Sequence, residues 1–411
     1  MCWGQAGGGA PHCLNANCLN GQSAIDLGTG TGAVVQLSAG SSHCCALFST
    51  GKVKCWGSHN DGRLGTGADE FIGDQYASEM GDNLPYVNLG NNTNGNGDAD
   101  GSGLVVKLCR KSQANEHTCA LMANGRIKCW GRGSSTGYDD GITRGAFYSP
   151  GGPPLFNMGE DLPFVDIGES SVNPGQLPTV QEIACGFQDH TCVLIDDGDV
   201  RCWGSADKAQ IGSGGTVDRG RNGAGLPMPP PNVDLGTGVK AAFLTAGPYS
   251  TCAKLTNGGV KCWGYNYYNE LGNGCAGIDD CTAYIGNQHN HMGDYHTLAP
   301  LACSPYTCAP AALGGDSIAF GYHSTCMITD GGGEDGYVRC WGYNHGGQNG
   351  HAGADTRTQT PNAISTPGQV AGTQAVRIAS YTYGYCALLI DDSVSCWGAS
   401  ENAKEIGGTQ F

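Results

Sequence analysis

Apolar residues in this chain come in short runs, cut off by clusters of Gly, Asn, Asp and Pro. Val34–Gly40 and Val180–Gly186 are two such runs, and each is followed by a second and a third apolar run of similar length. Runs this short, bounded by turn formers and rich in Val, Ile, Leu and Tyr, read as β-strands. No stretch holds a helical period over a convincing length. None approaches the roughly 20 apolar residues that span a bilayer. The pattern predicts an all-β protein with no membrane insertion.

The third run of each set carries a signature. Cys-Trp-Gly occurs seven times, at Cys2, Cys55, Cys129, Cys202, Cys262, Cys340 and Cys396, and uses all seven tryptophans of the chain. A residue type confined to one repeated triplet performs the same packing task each time, so the chain is an array of one supersecondary unit, as in solenoids and propellers. A length of 411 residues would otherwise suggest about three domains. Because the repeat runs end to end, residues 1–411 are expected to form a single domain.

Six of the triplets are preceded by a second cysteine: Cys45, Cys119, Cys192, Cys252, Cys326 and Cys386. The separation is 10 residues in five cases and 14 in the Cys326–Cys340 case, where Gly331–Asp335 is inserted. A separation of 10 fits a hairpin with a three-residue loop, Ser49-Thr50-Gly51, whose Gly sits in the left-handed region. Phe48 then faces Lys52, Leu47 faces Val53, and Cys45 faces Cys55. That position is a non-hydrogen-bonded pair with Cα atoms about 4.5 Å apart, which a disulfide accepts. Gly125, Gly198, Gly258 and Asp392 take the loop position elsewhere. Free buried thiols or zinc ligands are the alternatives, and the lack of any Cys-x-x-Cys pair disfavours zinc ribbons. Six bridges are therefore predicted: Cys45–Cys55, Cys119–Cys129, Cys192–Cys202, Cys252–Cys262, Cys326–Cys340 and Cys386–Cys396. Among the ten other cysteines, Cys13–Cys18, Cys275–Cys281 and Cys303–Cys308 are short-range candidates. Cys109 and Cys185 sit at similar places in successive repeats and could join them; Cys2 and Cys44 have no assigned partner.

Composition narrows the setting. Gly is abundant at 70 residues and charged residues are scarce at 14%, yet the regular apolar positions argue against disorder. A net charge of −16 with only 21 Lys plus Arg disfavours nucleic acid and anionic membranes as partners. It suits solubility, calcium or a basic protein. Twenty-two cysteines, if paired, point to an oxidising compartment, so the protein is expected to be extracellular or secreted. The opening Met1-Cys2-Trp3-Gly4 shows no secretory signal, which is read as a removed leader or a piece of a longer precursor.

Further phrases recur in fixed order. Ile25-Asp26-Leu27-Gly28, Val87-Asn88-Leu89-Gly90, Val165-Asp166-Ile167-Gly168 and Val233-Asp234-Leu235-Gly236 precede the first strand. His-x-Cys, the hairpin and Cys-Trp-Gly follow, and then a Leu-Gly turn such as Arg63-Leu64-Gly65, Gln210-Ile211-Gly212 or Glu270-Leu271-Gly272. This order resembles the regulator-of-chromosome-condensation repeat family over almost the whole chain. The resemblance implies a seven-bladed β-propeller. The cysteine-containing version looks like an extracellular branch of that family rather than the nuclear exchange factor. Related bacterial propellers that inhibit β-lactamases imply that such a scaffold can serve as a protein-binding surface alone. Seven triplets but six hairpin cysteines leave Cys2 without a repeat partner, so one blade is expected to be incomplete at the termini. Truncation is the first explanation, and completion by a neighbouring chain the second.

Candidate chemistry is thin. His43, His117 and His190 precede the hairpin cysteine by two positions, where Ser250, Ser324 and Gly384 stand elsewhere. Such drift fits hydrogen bonding inside a blade, and no catalytic residue is assigned. His289, His291 and His296 form a His-x-His candidate for zinc or copper, but their loop aligns with Met80-Gly81-Asp82 and Met158-Gly159-Glu160 and reads as a structural phrase. Asn96, Asp98 and Asp100 resemble the start of a calcium loop, although Lys107 stands where the bidentate Glu belongs. A solvated turn is the default there. Asn91 begins the N-glycosylation sequon Asn91-Asn92-Thr93.

Segments between successive triplets range from 53 to 78 residues on an otherwise regular array, and variable inserts on a rigid frame carry recognition. Tyr265-Asn266-Tyr267-Tyr268-Asn269 has a composition suited to protein or sugar contacts. The expected function is a non-enzymatic, secreted interaction or structural scaffold whose partner is another protein or copies of itself. A glycan-binding, lectin-like module is the alternative, and a hydrolase or lyase the third reading.

Overall fold

The computed structural model describes residues 25–40, 42–67, 71–73, 79–90, 103–111, 116–146, 157–186, 189–221, 225–272, 284–288, 291–295, 302–303, 306–307, 309–310, 317–330, 336–345, 347–350, 358–364, 374–381 and 384–398. Six antiparallel repeats are built from them. In the first, Val34–Ala39 pairs with His43–Phe48, which pairs with Val53–Gly57. The pattern recurs with middle strands His117–Met122, His190–Ile195, Ser250–Leu255, Ser324–Asp330 and Gly384–Leu389. The first three middle strands are buried at every position, so they read as continuous apolar runs rather than alternating ones. Helical turns among the described residues are short, and no helix is long and apolar enough to cross a membrane.

The chain divides into two compact units, residues 1–205 with 217–232, and residues 206–216 with 233–411. The first three repeats lie in the first unit and the last three in the second. Within the first unit, side chains from two consecutive repeats share each main core: Leu47, Val53 and Leu64 pack with Leu108, Met122 and Trp130, and Leu121 and Ile127 pack with Ile183, Val193 and Trp203. In the second unit Val260 and Leu271 pack with Met327 and Trp341, while Ile328 and Val338 pack with Ala387 and Trp397. Stability thus resides between repeats, as nearest-neighbour packing requires.

The hairpin register follows the cysteine spacing. Leu47 pairs with Val53 and Cys45 with Cys55, and Gly51 has φ +75°. Gly125, Gly198 and Gly258 adopt the same conformation, and Asp392 accepts it at φ +65°. Bridges Cys45–Cys55, Cys119–Cys129, Cys192–Cys202, Cys252–Cys262 and Cys326–Cys340 have Cα separations of 4.1 Å, and Cys386–Cys396 has 4.0 Å. A seventh bridge, Cys109–Cys185, spans 5.9 Å between Cα atoms and ties the second repeat to the third. Cys44 is also disulfide-bonded. Cys2, Cys13, Cys18, Cys275, Cys281, Cys308 and the side chain of Cys303 lie outside the described residues.

The glycine of Cys-Trp-Gly has a geometric reason. Gly57, Gly131, Gly204, Gly264 and Gly342 all have φ near +100°, and a Cβ on them would come within 2.1–2.6 Å of the carbonyl oxygen preceding the middle strand. Only glycine tolerates both conditions.

Candidate interaction site

Four tryptophans each hydrogen-bond a turn that follows the preceding triplet. The Trp130 indole N–H donates to the Arg63 carbonyl at 3.1 Å, Trp263 to Gln210 at 3.0 Å, Trp341 to Glu270 at 2.9 Å and Trp397 to Gln348 at 3.0 Å. Each acceptor belongs to the turn that follows the preceding triplet. Gly65, Gly137, Gly212 and Gly272 of those turns let the ring in: a Cβ there would come within 2.5–2.9 Å of the indole. Trp203 occupies the same kind of socket, against Gly137, but its buried Nε1 has no acceptor among the described residues.

Histidines take part in this docking. The sequence predicts hydrogen bonds inside a blade, whereas His43 Nε2 meets Thr118 Oγ1 of the next repeat at 3.2 Å, and His117 Nε2 meets Thr191 Oγ1 at 2.8 Å. His43, His117 and His190 are fully buried. Gly186 yields its side-chain space to the His190 ring, 1.8 Å from where a Cβ would stand. His117, Cys119 and Cys185 come within metal-binding distance of one another, but both sulfurs are consumed in disulfides and thiolates are the metal ligands.

A second set of residues escapes sequence reading. The residue before each hairpin-closing cysteine is a cation in five repeats: Lys54, Lys128, Arg201, Lys261 and Arg339, all buried. Lys128 Nζ donates to the Leu89 and Gly159 carbonyls at 2.6 and 3.4 Å, and Lys261 donates to those of Leu235 and Gly293, both at 2.8 Å. Burial lowers the pKa of Lys54, Lys128 and Lys261. The Met-Gly-Asp phrase lies beside this clamp, with Asp294 accepting from the Thr237 N–H at 2.8 Å and Gly293 N–H donating to Asp234. It is structural, as its recurrence implies. His291 lies at its edge; His289 and His296 fall outside the described residues, as do Asn91, Asn96, Asp98 and Asp100.

The Tyr265–Asn269 loop has the most distinctive surface. Its asparagines turn inward: Asn266 and Asn269 are buried, and Asn266 Oδ1 accepts from the Leu271 N–H at 3.1 Å. Its tyrosines gather around His323, whose ring lies 5.2 Å from Tyr265, 4.9 Å from Tyr268, 5.9 Å from Tyr249 and 4.1 Å from Tyr322. Tyr343 and Tyr284 extend the cluster, and Tyr267 is 48% exposed at its edge. His323 has φ +58°, uncommon for a non-glycine residue. Its Nδ1 lies 3.2 Å from Glu270 Oε1, and the other carboxyl oxygen of Glu270 accepts from the Tyr268 N–H at 2.8 Å. The Glu270 side chain is 5% exposed and that of His323 14%. Burial pushes the Glu270 carboxyl above its ordinary range, against the pull of His323. Burial also pushes the Tyr265 hydroxyl up to about 12. Tyr249, Tyr265, Glu270 and His323 line a shallow recess of about 10 Å³, open to solvent. Pockets for small ligands ordinarily run from about 300 to 1,000 Å³. This recess has room for about one water, far short of a small molecule.

Residues 34–63, 115–136, 180–210 and 242–270 match the regulator of chromosome condensation (RCC1) repeat. Human WBSCR16 superposes with a TM-score of 0.61 at 18% identity, over 89% of this chain and 76% of that one. Prp20p of Saccharomyces cerevisiae, whose structure accompanies its binding properties to Gsp1p and histones, gives 0.60 at 17% identity over 92% and 74%. The fold is all-β, that of the RCC1 β-propellers.

Sequence relatives agree with it. The human E3 ubiquitin-protein ligase HERC2 is 26% identical over 90% of this chain, which spans 6% of that protein. The Ultraviolet-B receptor UVR8 of Arabidopsis thaliana is 26% identical over 59% of the chain and 43% of UVR8, and pim1 of Schizosaccharomyces pombe 24% over 91% and 60%. Four segments of the chain thus match the RCC1 repeat, and its fold is shared with RCC1-type propellers. The chain spans less than two thirds of these curated relatives.

Proposed function

We propose that this chain is a non-enzymatic interaction scaffold of the secreted, disulfide-braced kind, which presents its variable loops to another protein or to further copies of itself. The tyrosine corner around His323 carries the reading. It combines an exposed aromatic edge at Tyr267 with a recess too shallow for a small substrate. Tyrosines of this sort give large contact area at low conformational cost. Among RCC1-type propellers, Prp20p has been described with its binding properties to Gsp1p and histones, which fits a binding role for the fold. An N-glycan on Asn91 and a calcium ion at Asn96, Asp98 and Asp100 would suit an extracellular setting.

Native mass spectrometry of protein isolated from its source, with cross-linking, is the test. A complex with a second polypeptide or a defined oligomer, weakened by Tyr267→Ala, is expected. A monomer that cross-links to nothing would overturn the scaffold reading. The exposed tyrosine edge also suits stacking on sugar rings, so the alternative is a lectin. A glycan array showing saturable binding that Tyr267→Ala abolishes would replace the first reading with that one.

A further inference from the structure

We infer that residues 1–24 seat on the leading face of the first repeat, and that Cys13 ties them there through a disulfide to Cys44. This is the face that the second and third repeats turn to their predecessors. Three observations carry the assignment.

The first is an uncovered sheet face. Val34 and Leu37 pair across the first two strands with Phe48 and Ala46. The same register positions hold Val105 and Leu108, Val180 and Ile183, and Ala375 and Ile378 in the second, third and last repeats. Those six are 1–5% exposed, whereas Val34 is 43% and Leu37 40% exposed. In the second and third repeats the cover comes from the repeat before: Leu47 and Val53 pack with Val105 and Leu108, and Leu121 and Ile127 with Val180 and Ile183.

The second is the chemistry at position 44. The residue opposite the triplet tryptophan is threonine in four repeats. Of these, Thr118, Thr251 and Thr325 donate to the carbonyls of Arg63, Gln210 and Glu270, in the preceding docking turns, at 3.2, 2.9 and 2.7 Å. In the first repeat the position is Cys44, fully buried and disulfide-bonded. The seven bridges already described consume the other cysteines whose side chains are described, so the sulfur on Cys44 comes from elsewhere. Where later repeats dock by a hydrogen bond, the first docks by a covalent one.

The third is the point of entry. Ile25 and Leu27 already pack against the cluster of Cys44, Phe48 and Trp56 on this face, so the chain delivers residues 1–24 to it. They carry Cys2-Trp3-Gly4, the triplet that precedes the first repeat. Arg63, Gln210 and Glu270 each stand 8 residues after their triplet cysteine. Cys13 stands 11 after Cys2, the place that Thr66 takes beside the Arg63-Leu64-Gly65 turn, and Cys18 lies 5 residues further on.

Peptide mapping of the intact chain without reductant tests the bond, and hydroxyl-radical footprinting tests the cover. Cys44 should be found joined to Cys13. Leu37 should label as slowly as Leu108, 1% exposed, rather than as fast as Leu104, 39% exposed. Cys44→Thr restores the residue of four other repeats, so its folding is not at stake. In that variant Cys13 should alkylate without reductant while Leu108 stays protected. Linkage of Cys44 to any other cysteine of the chain, or to one of a second polypeptide, would overturn the assignment. So would wild-type Leu37 labelling at the rate of Leu104, or a Cys13 that stays closed to alkylation in the variant.

Discussion

Removing the Cys109–Cys185 bridge should cost the first unit more than removing any hairpin bridge. All four sulfurs of Cys109–Cys185 and Cys119–Cys129 are fully buried in the same core, so the packing lost on replacing either pair by alanine is similar. What differs is the loop closed in the unfolded chain. Cys109–Cys185 spans 76 residues of sequence, with Cys119–Cys129 shortening the path inside it, whereas Cys119–Cys129 itself spans 10. On the chain-entropy relation the long loop contributes about 4.4 kcal/mol and the short one about 2.8 kcal/mol. The double variant Cys109→Ala/Cys185→Ala is therefore expected to be about 1.6 kcal/mol less stable than Cys119→Ala/Cys129→Ala. Hydrogen exchange resolved by peptide is the suitable assay. Strand His190–Ile195 reports on the first unit, and strand Ser250–Leu255 on the second as an internal reference. Loss of protection should be larger for the long-loop variant and confined to the first unit. If both double variants lose the same protection, loop entropy is not what the cross-repeat bridge supplies. If Cys109 alkylates in the native protein without reductant, the bridge itself is refuted.

Trp130→Phe should cost about 1 kcal/mol more than Trp203→Phe, because only Trp130 loses an indole hydrogen bond; urea midpoints of the two variants give the comparison. Lys128→Met should destabilise by about 1–3 kcal/mol by stranding the Leu89 and Gly159 carbonyls. Because burial lowers the folded pKa of Lys128, the unfolded chain holds more protons between that value and 10.5, so wild-type stability gains from this group as pH rises through that window. Stability measured across alkaline pH should lose that gain in the variant. Glu270 has the opposite sign: its folded pKa is raised above 4.5, so the folded state holds the extra proton and stability falls as pH climbs from 4.5 through the folded value. Thermal midpoints should show wild type losing ground to Glu270→Gln over that range, and parallel curves would contradict it.

Periodic features were legible in the sequence, and features set by neighbouring repeats were not. The cysteine spacing determines the hairpin register because a three-residue loop allows one outcome, and Leu47 opposite Val53 follows from it. Glycine in the triplet was visible as a recurrence, but its cause, a carbonyl oxygen 2.5 Å from the missing Cβ of Gly57, belongs to tertiary structure. The buried Lys128 reads in sequence as a solvated strand residue, since charge ordinarily marks the surface; only the two carbonyls that receive it explain its burial. The histidine bonds were anticipated in kind and misplaced in direction, for the distance from His43 to Thr118 spans two repeats. The tyrosine loop was recognised by composition. Its convergence on His323 and Glu270 was not, because those residues lie over 50 positions apart.

The tryptophan sockets give the chain a direction. Arg63 precedes Trp130, Gln210 precedes Trp263, Glu270 precedes Trp341 and Gln348 precedes Trp397, so each receiving carbonyl is synthesised before the indole that seeks it. A ribosome releasing the chain from its N-terminus would expose each tryptophan to a finished berth. Shortening the array from the C-terminal side leaves every remaining indole among these seated, whereas removing an early repeat strands the next one. Tolerance to deletion should therefore be lopsided along a molecule whose repeats look interchangeable.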